Sequence, residues 1–203
     1  MKYLFSHGPH ELSRLAWGLI GVAATLGATS VAMADSHDEH QAAAAAQQHN
    51  DSAATARLVR IARQASRRFQ DVSQAEAEGY VQQFGCVSGS HEGAMGVHYV
   101  NFPLVADGVL DAAKPELLVY EPQPNGRMRL VAVDYLVLVD GWHAHDAAPP
   151  DLLGHLFHLF ESPNRFGLPA FYTLHVWSWR DNPQGMFANW NPRVTCDHFT
   201  AQD

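Results

Sequence analysis

Two cysteines are all that this 203-residue chain carries. Neither a closed zinc signature nor a C-x-x-C-H haem-attachment run is present, so the commonest cysteine-built metal and haem sites are excluded. A nucleophile elbow, G-x-S-x-G, is also missing: "VSGSHEG" places Ser88 and Ser90 near His91 without it, and a serine-hydrolase reading fails. Basic residues are few, 13 Lys and Arg against 21 Asp and Glu, which argues against a nucleic-acid or anionic-membrane surface. No stretch after the first 34 residues approaches membrane length, and no internal repeat is visible.

What stands at the N-terminus is an export signal. Lys2 and Arg14 flank an apolar run from Leu15 to Val31, and Ala32-Met33-Ala34 is a small-x-small cleavage signal, so residues 1–34 read as a signal peptide. There is no Arg-Arg pair for twin-arginine export and no Cys after the cleavage site for lipid attachment. A periplasmic or secreted protein is expected, without stable membrane insertion once the signal is cut. Removing Lys2, Arg14 and Glu11 from the totals leaves 11 basic and 20 acidic residues, a net of −9, with 11 of the 13 histidines retained. An even cysteine count in an exported chain points to a Cys86–Cys196 disulfide, with free thiols or a metal-binding pair as the alternative.

Residues 35–50, "DSHDEHQAAAAAQQHN", read as a flexible His-containing leader, Ala-rich and able to run into helix. Residues 51–203 read as a single α+β domain. Leu58, Ile61, Ala62, Ala65, Phe69 and Val72 recur at helical spacing between an N-cap at Asp51 or Ser52 and a stop at Gly79. Arginines 57, 60, 63, 67 and 68 decorate the opposite side, a solvated face. Beyond Gly79, "GVHYVNF", "ELLVYE", "RLVAVDYLVLVD" and "AFYTLHVWSW" are short β-branched and aromatic runs separated by turns, with Asn125-Gly126 as the best hairpin signal. Only "PPDLLGHLFHLFES", 149–162, interrupts with helical spacing. The expected fold is therefore α+β: a long N-terminal helix on a mostly antiparallel, curved sheet, with one short inserted helix.

Histidine is the residue in excess. In "LHVWSW" alternation puts His175, Trp177 and Trp179 on one strand face, the wall of an aromatic ligand pocket or of a core. His98 follows the glycine-rich "GSHEGAMG" in a strand. His143 and His145 form an H-x-H pair that shares a face if extended, and His155 and His158 share one if helical. Imidazole binds zinc, copper and iron, and Glu92 or Glu121 are carboxylates that would complete a site. The preferred metal set is His98, Glu121 and His175, all on or at the ends of central strands; the two local pairs rank below it. A further site arises if cleavage follows Ala34: the amine of Asp35, two amide nitrogens and the His37 imidazole are four coplanar donors suited to Cu(II) or Ni(II).

The stretches "GAMGVHYVN", "PELLVYEP", "RLVAVDYLV" and "LHVWSWRDNPQGMFANWNPRVTC" together resemble an uncharacterised family of exported bacterial proteins. The resemblance spans most of residues 55–196. It implies importance for His98, Asn101, Glu121, Tyr135, His175, Trp177, Asn182, Pro183, Asn191, Pro192, Cys86 and Cys196, and it transfers no activity.

The resulting expectation is an exported metal-binding protein with oxidoreductase chemistry at a mononuclear His-based site, copper first and zinc second. The rival is a non-catalytic module that binds an unidentified small ligand and whose histidines are structural.

Overall fold

The computed structural model describes residues 34–200, so the expected signal peptide lies outside the described residues except for Ala34. Of the described residues, 43–200 belong to one compact unit. Helix α1 spans Ala34–Ser66, so it begins ahead of the expected cap at Asp51 or Ser52 and takes in the leader that was expected to lead into it. The Ala43–Ala46 run is the strongest intrinsic helix former, and Gln47 bonds Asp51 one turn on at 2.9 Å, so the helix continues through these exposed positions.

The amphipathic stripe is as expected where it meets the sheet: Leu58, Ala62, Ser66 and Phe69 are all buried. The chain then tightens into a 3₁₀ turn, Arg67–Gln70, and resumes as α2, Val72–Ala77, with the Asp71 carboxylate accepting from Ser73 N at its N-terminus. Gly79, at φ +88°, ends it in a conformation that favours glycine.

The strands follow: β1 Val81–Ser88, β2 Ala94–Val100, helix α3 Phe102–Ala106, β3 Leu117–Pro122, β4 Met128–Leu138, helix α4 Val139–His143, the short β5 Asp151–Leu152, β6 His155–Leu156 and β7 His158–Phe160, then β8 Phe171–Val176. Six form a strongly curled antiparallel sheet in the order β1-β2-β3-β4-β8-β7, and β5 pairs with β6 apart from it. Asn125-Gly126 turns β3 into β4 as expected, with Gly126 at φ +76°.

The expected helix at 149–162 is instead β5, β6 and β7. Leu153 and Gly154 adopt positive φ, Gly154 N donates to Asp151 Oδ1, and the chain reverses before helical spacing can act. His155 and His158 therefore lie on different strands and share no helical face.

Alternation divides the sheet residues cleanly. One face (Val97, Tyr99, Leu118, Tyr120, Val133, Tyr135, Leu174, Val176) packs with Leu58, Ala62 and Phe69 into the main core. The other face carries two smaller clusters, one around Ala94, Val119, Ala132, Trp177 and Val194, the other around Val100, Leu117, Leu136 and Phe171. Non-repetitive C-terminal chain covers the first of these. Asn191 bridges to Ala94, and a Cβ at Gly93 would stand 2.1 Å from the Asn191 carbonyl, so only glycine permits this approach. Cys86 and Cys196 are joined with Cα atoms 5.8 Å apart, which anchors the segment to β1.

Candidate metal centre

Between the two clusters of the second face lies a polar group. Asp134 on β4 stands directly opposite His175 on β8, and His98 reaches the same face from β2, with β3 between. Apolar residues surround all three, and the sheet pairing fixes their backbones. Exposure is 4% for His98, 5% for Asp134 and 1% for His175. One donor atom from each lies within 4.8 Å of the others, and His175 Nδ1 is 3.8 Å from Asp134 Oδ2. Donors about 2.1 Å from a tetrahedral ion stand about 3.4 Å apart, so closing the group on an ion needs side-chain movements of about 1.4 Å or less.

Polar satisfaction is uneven. Thr173 donates to Asp134 Oδ1 at 2.6 Å, which orients the carboxylate. Both nitrogens of His175 and Nδ1 of His98 have no hydrogen-bond partner, although they are buried. Burial pushes the His98 pKa down from 6.5 to about 4, with His175 also lowering it and Asp134 partly opposing. The ring is therefore neutral near pH 7, the form that coordinates a metal. Trp177 lies tilted against His175, centroids 4.5 Å apart, and donates its own N–H to Ala188 O. His98, Asp134 and His175 form a group able to hold one metal ion.

Glu121 does not belong to it. Its carboxylate pairs with Arg129 and accepts from Thr195 N, so it ties the β3–β4 hairpin to the C-terminal segment. Trp179 also departs from expectation. β8 ends at Val176, and the chain bends so that Trp179 joins the main core and donates to Ser66 Oγ at 2.9 Å. Only His175 and Trp177 share the face that alternation assigned to three residues.

The local histidine pairs are not brought together as ligands. His143 closes α4, with Nδ1 against Asp146 O and Nε2 against the Tyr172 hydroxyl. His145 is exposed beyond α4, so the pair is not extended. His155 stacks on Phe187 with centroids 4.3 Å apart, and His158 is exposed. His37 falls within α1, and its expected four-nitrogen site depends on a free amine at Asp35.

Sequence reasoning missed Asp134, although a signal was present. It is the one charged residue inside the apolar run "LVAVDYLVLV", and a carboxylate in a strand buried on both faces demands a partner. The aromatic wall beside His98 is likewise made of phenylalanines, Phe84, Phe160, Phe166 and Phe171, rather than tryptophans. No family model, curated protein or solved structure matches the chain.

Among the described residues no helix is long and apolar enough to cross a membrane. The disulfide is the form expected in an oxidising compartment.

Proposed function

We propose that this chain is an exported metalloprotein that holds one ion between His98, Asp134 and His175 and supports oxidoreductase chemistry there. The observation that carries the reading is the pair of unpartnered His175 nitrogens beside a buried carboxylate. Buried polar atoms without partners are rare in native structures, and an ion is one of the few occupants that satisfies imidazole and carboxylate together. A purely structural role for these histidines would pair their nitrogens instead.

Two imidazoles and one carboxylate suit Cu(II) and Zn(II), in that order of affinity at a site of fixed donors, and they are also the donor set of non-haem iron(II). Without a thiolate or thioether in the set, Cu(I) is not favoured. The Trp177 indole shields one side, leaving further coordination positions for water or substrate.

Metal analysis of protein isolated from its own compartment, without an affinity resin, tests this. Stoichiometric metal is expected, with a loss of affinity of at least about 100-fold in Asp134→Ala and in the His98→Ala, His175→Ala double variant. Metal content unchanged by all three substitutions overturns the reading. Because the ligands must be neutral imidazoles and a carboxylate, affinity should be lost as pH falls toward about 4, where His98 takes up a proton.

A further inference from the structure

Two cavities adjoin the histidine side of the sheet. The inner one, about 30 Å³, is lined by His98 and Thr173 together with phenylalanine and leucine side chains. The outer one, about 210 Å³, opens between α3 and the chain near Leu168, with Val105 and Leu138 in its wall. Phe84, Leu117, Leu136 and Leu168 line both.

Phe84 is held there by an unusual backbone. In the β1–β2 ladder Gln83 pairs with His98 and Cys86 with Val97, so Phe84 and Gly85 are extra residues in a bulge. Phe84 has φ +64°, a strained value for a side chain of this size. Bulges re-aim side chains, and this one aims the Phe84 ring edge-on at His98 and at Phe166, with centroids 6.4 and 5.4 Å away. The disulfide begins two residues later, at Cys86, which keeps the bulge from relaxing.

We propose that the two cavities form one access route by which a small, uncharged aromatic or apolar molecule reaches the His98 side of the metal group, with Phe84 as the gate between them. This rests on the metal reading for its destination but not for its existence. The lining offers almost no polar partner, so a charged or strongly hydrogen-bonding molecule would lose its hydration without replacement. The outer volume is above the ~150 Å³ of an apolar cavity that takes up benzene, whereas the inner one admits only part of such a ring unless Phe84 moves.

Benzene is the probe. It is titrated into metal-free protein and followed by methyl resonances of Leu117, Leu136 and Leu138 and by the His98 ring signals. The expected result is saturable binding, weakened more than tenfold by Val105→Trp, which fills the outer cavity. Phe84→Gly, whose positive φ glycine accepts, should bind more tightly and shift His98 more strongly. Unchanged affinity in Val105→Trp, or benzene shifts confined to other parts of the protein, overturns the route. A second arm uses Co(II)-loaded protein: benzene should alter the visible d–d band, and an unaltered band while benzene binds overturns the link to the metal group. Failure of cobalt to load counts against the metal reading alone, since the benzene arm needs no metal.

Discussion

The two faces of the sheet bury similar side chains and treat their polar atoms in opposite ways. On the helix side each large polar group finds a fixed partner: Tyr80 donates to Pro115 O, Tyr120 to Phe69 O, Tyr135 to Ala112 O and Trp179 to Ser66 Oγ. On the other side two histidines keep bare nitrogens around a carboxylate. The coverings differ too. A regular helix lies over the first face, and irregular chain held by asparagine side chains and a disulfide lies over the second. Satisfied polar groups specify a fold, whereas two unpaired imidazoles beside a carboxylate at equal burial form a group able to hold an ion.

The largest effect expected from breaking this contrast comes from the disulfide. It closes a loop of 110 residues, so Cys86→Ser with Cys196→Ser should cost about 4–5 kcal/mol in the chain-entropy account, measured by denaturant unfolding. Hydrogen exchange should show β1 losing protection well before β4. Equal loss on both faces would mean that the covering segment is not separately stabilised.

Replacing the polar group by apolar residues, as His98→Phe, Asp134→Leu and His175→Leu together, should leave the metal-free protein more stable by about 2 kcal/mol while abolishing metal binding. A less stable folded triple variant would place the histidines among the structural groups.

The helix side holds one costly member of its own, Glu116, which accepts from Leu136 N at 3.1 Å beyond the end of β3. Burial pushes its pKa up from 4.5 to about 9. Above pH 4.5 the unfolded chain ionises this group while the folded chain keeps it protonated, so stability falls with rising pH until about 9. His98 acts in the other direction: with its pKa lowered from 6.5 to about 4, its contribution is complete above 6.5 and is lost as pH falls toward 4. The two oppose between 4.5 and 6.5, and above that Glu116 acts alone. Glu116→Gln should remove a decline of roughly 1.4 kcal/mol per pH unit between 6.5 and 9, read from melting temperature against pH. An unchanged slope would show that Glu116 is ionised in the folded protein.

The smallest effect is expected at a paired hydroxyl. Tyr120→Phe leaves the Phe69 carbonyl without its partner and should cost about 1 kcal/mol in thermal or denaturant unfolding, with metal affinity unchanged.

Much of this contrast was legible in the sequence. The stripe Leu58, Ala62, Phe69 and the strand runs located the helix face, and His98 and His175 emerged as strand histidines. Asp134 was hidden because reading the run "LVAVDYLVLV" as simply apolar hides the one position that is not. Glu121 had the right chemistry and the wrong neighbour: it sits opposite Arg129, and cross-strand register is a tertiary property that the sequence does not display. Trp179 was misplaced by a bend after Val176, which breaks the two-residue period on which its assignment rested. The segment 149–162 failed for a related reason. Short apolar runs satisfy both periods, and the positive-φ turn at Leu153-Gly154 decides between them.

The bulge in β1 has a further consequence, for the way these molecules meet one another. β1 and β7 are the two edges of the sheet, and an open edge is a template for another chain. β7 is only three residues long. β1 is eight, but its ladder is broken between Gln83 and Cys86 and its second half is linked to the C-terminal segment. The distortion that turns Phe84 toward His98 thus also spoils the one edge long enough for strand-to-strand stacking, and reducing the disulfide in concentrated protein should promote association through that edge.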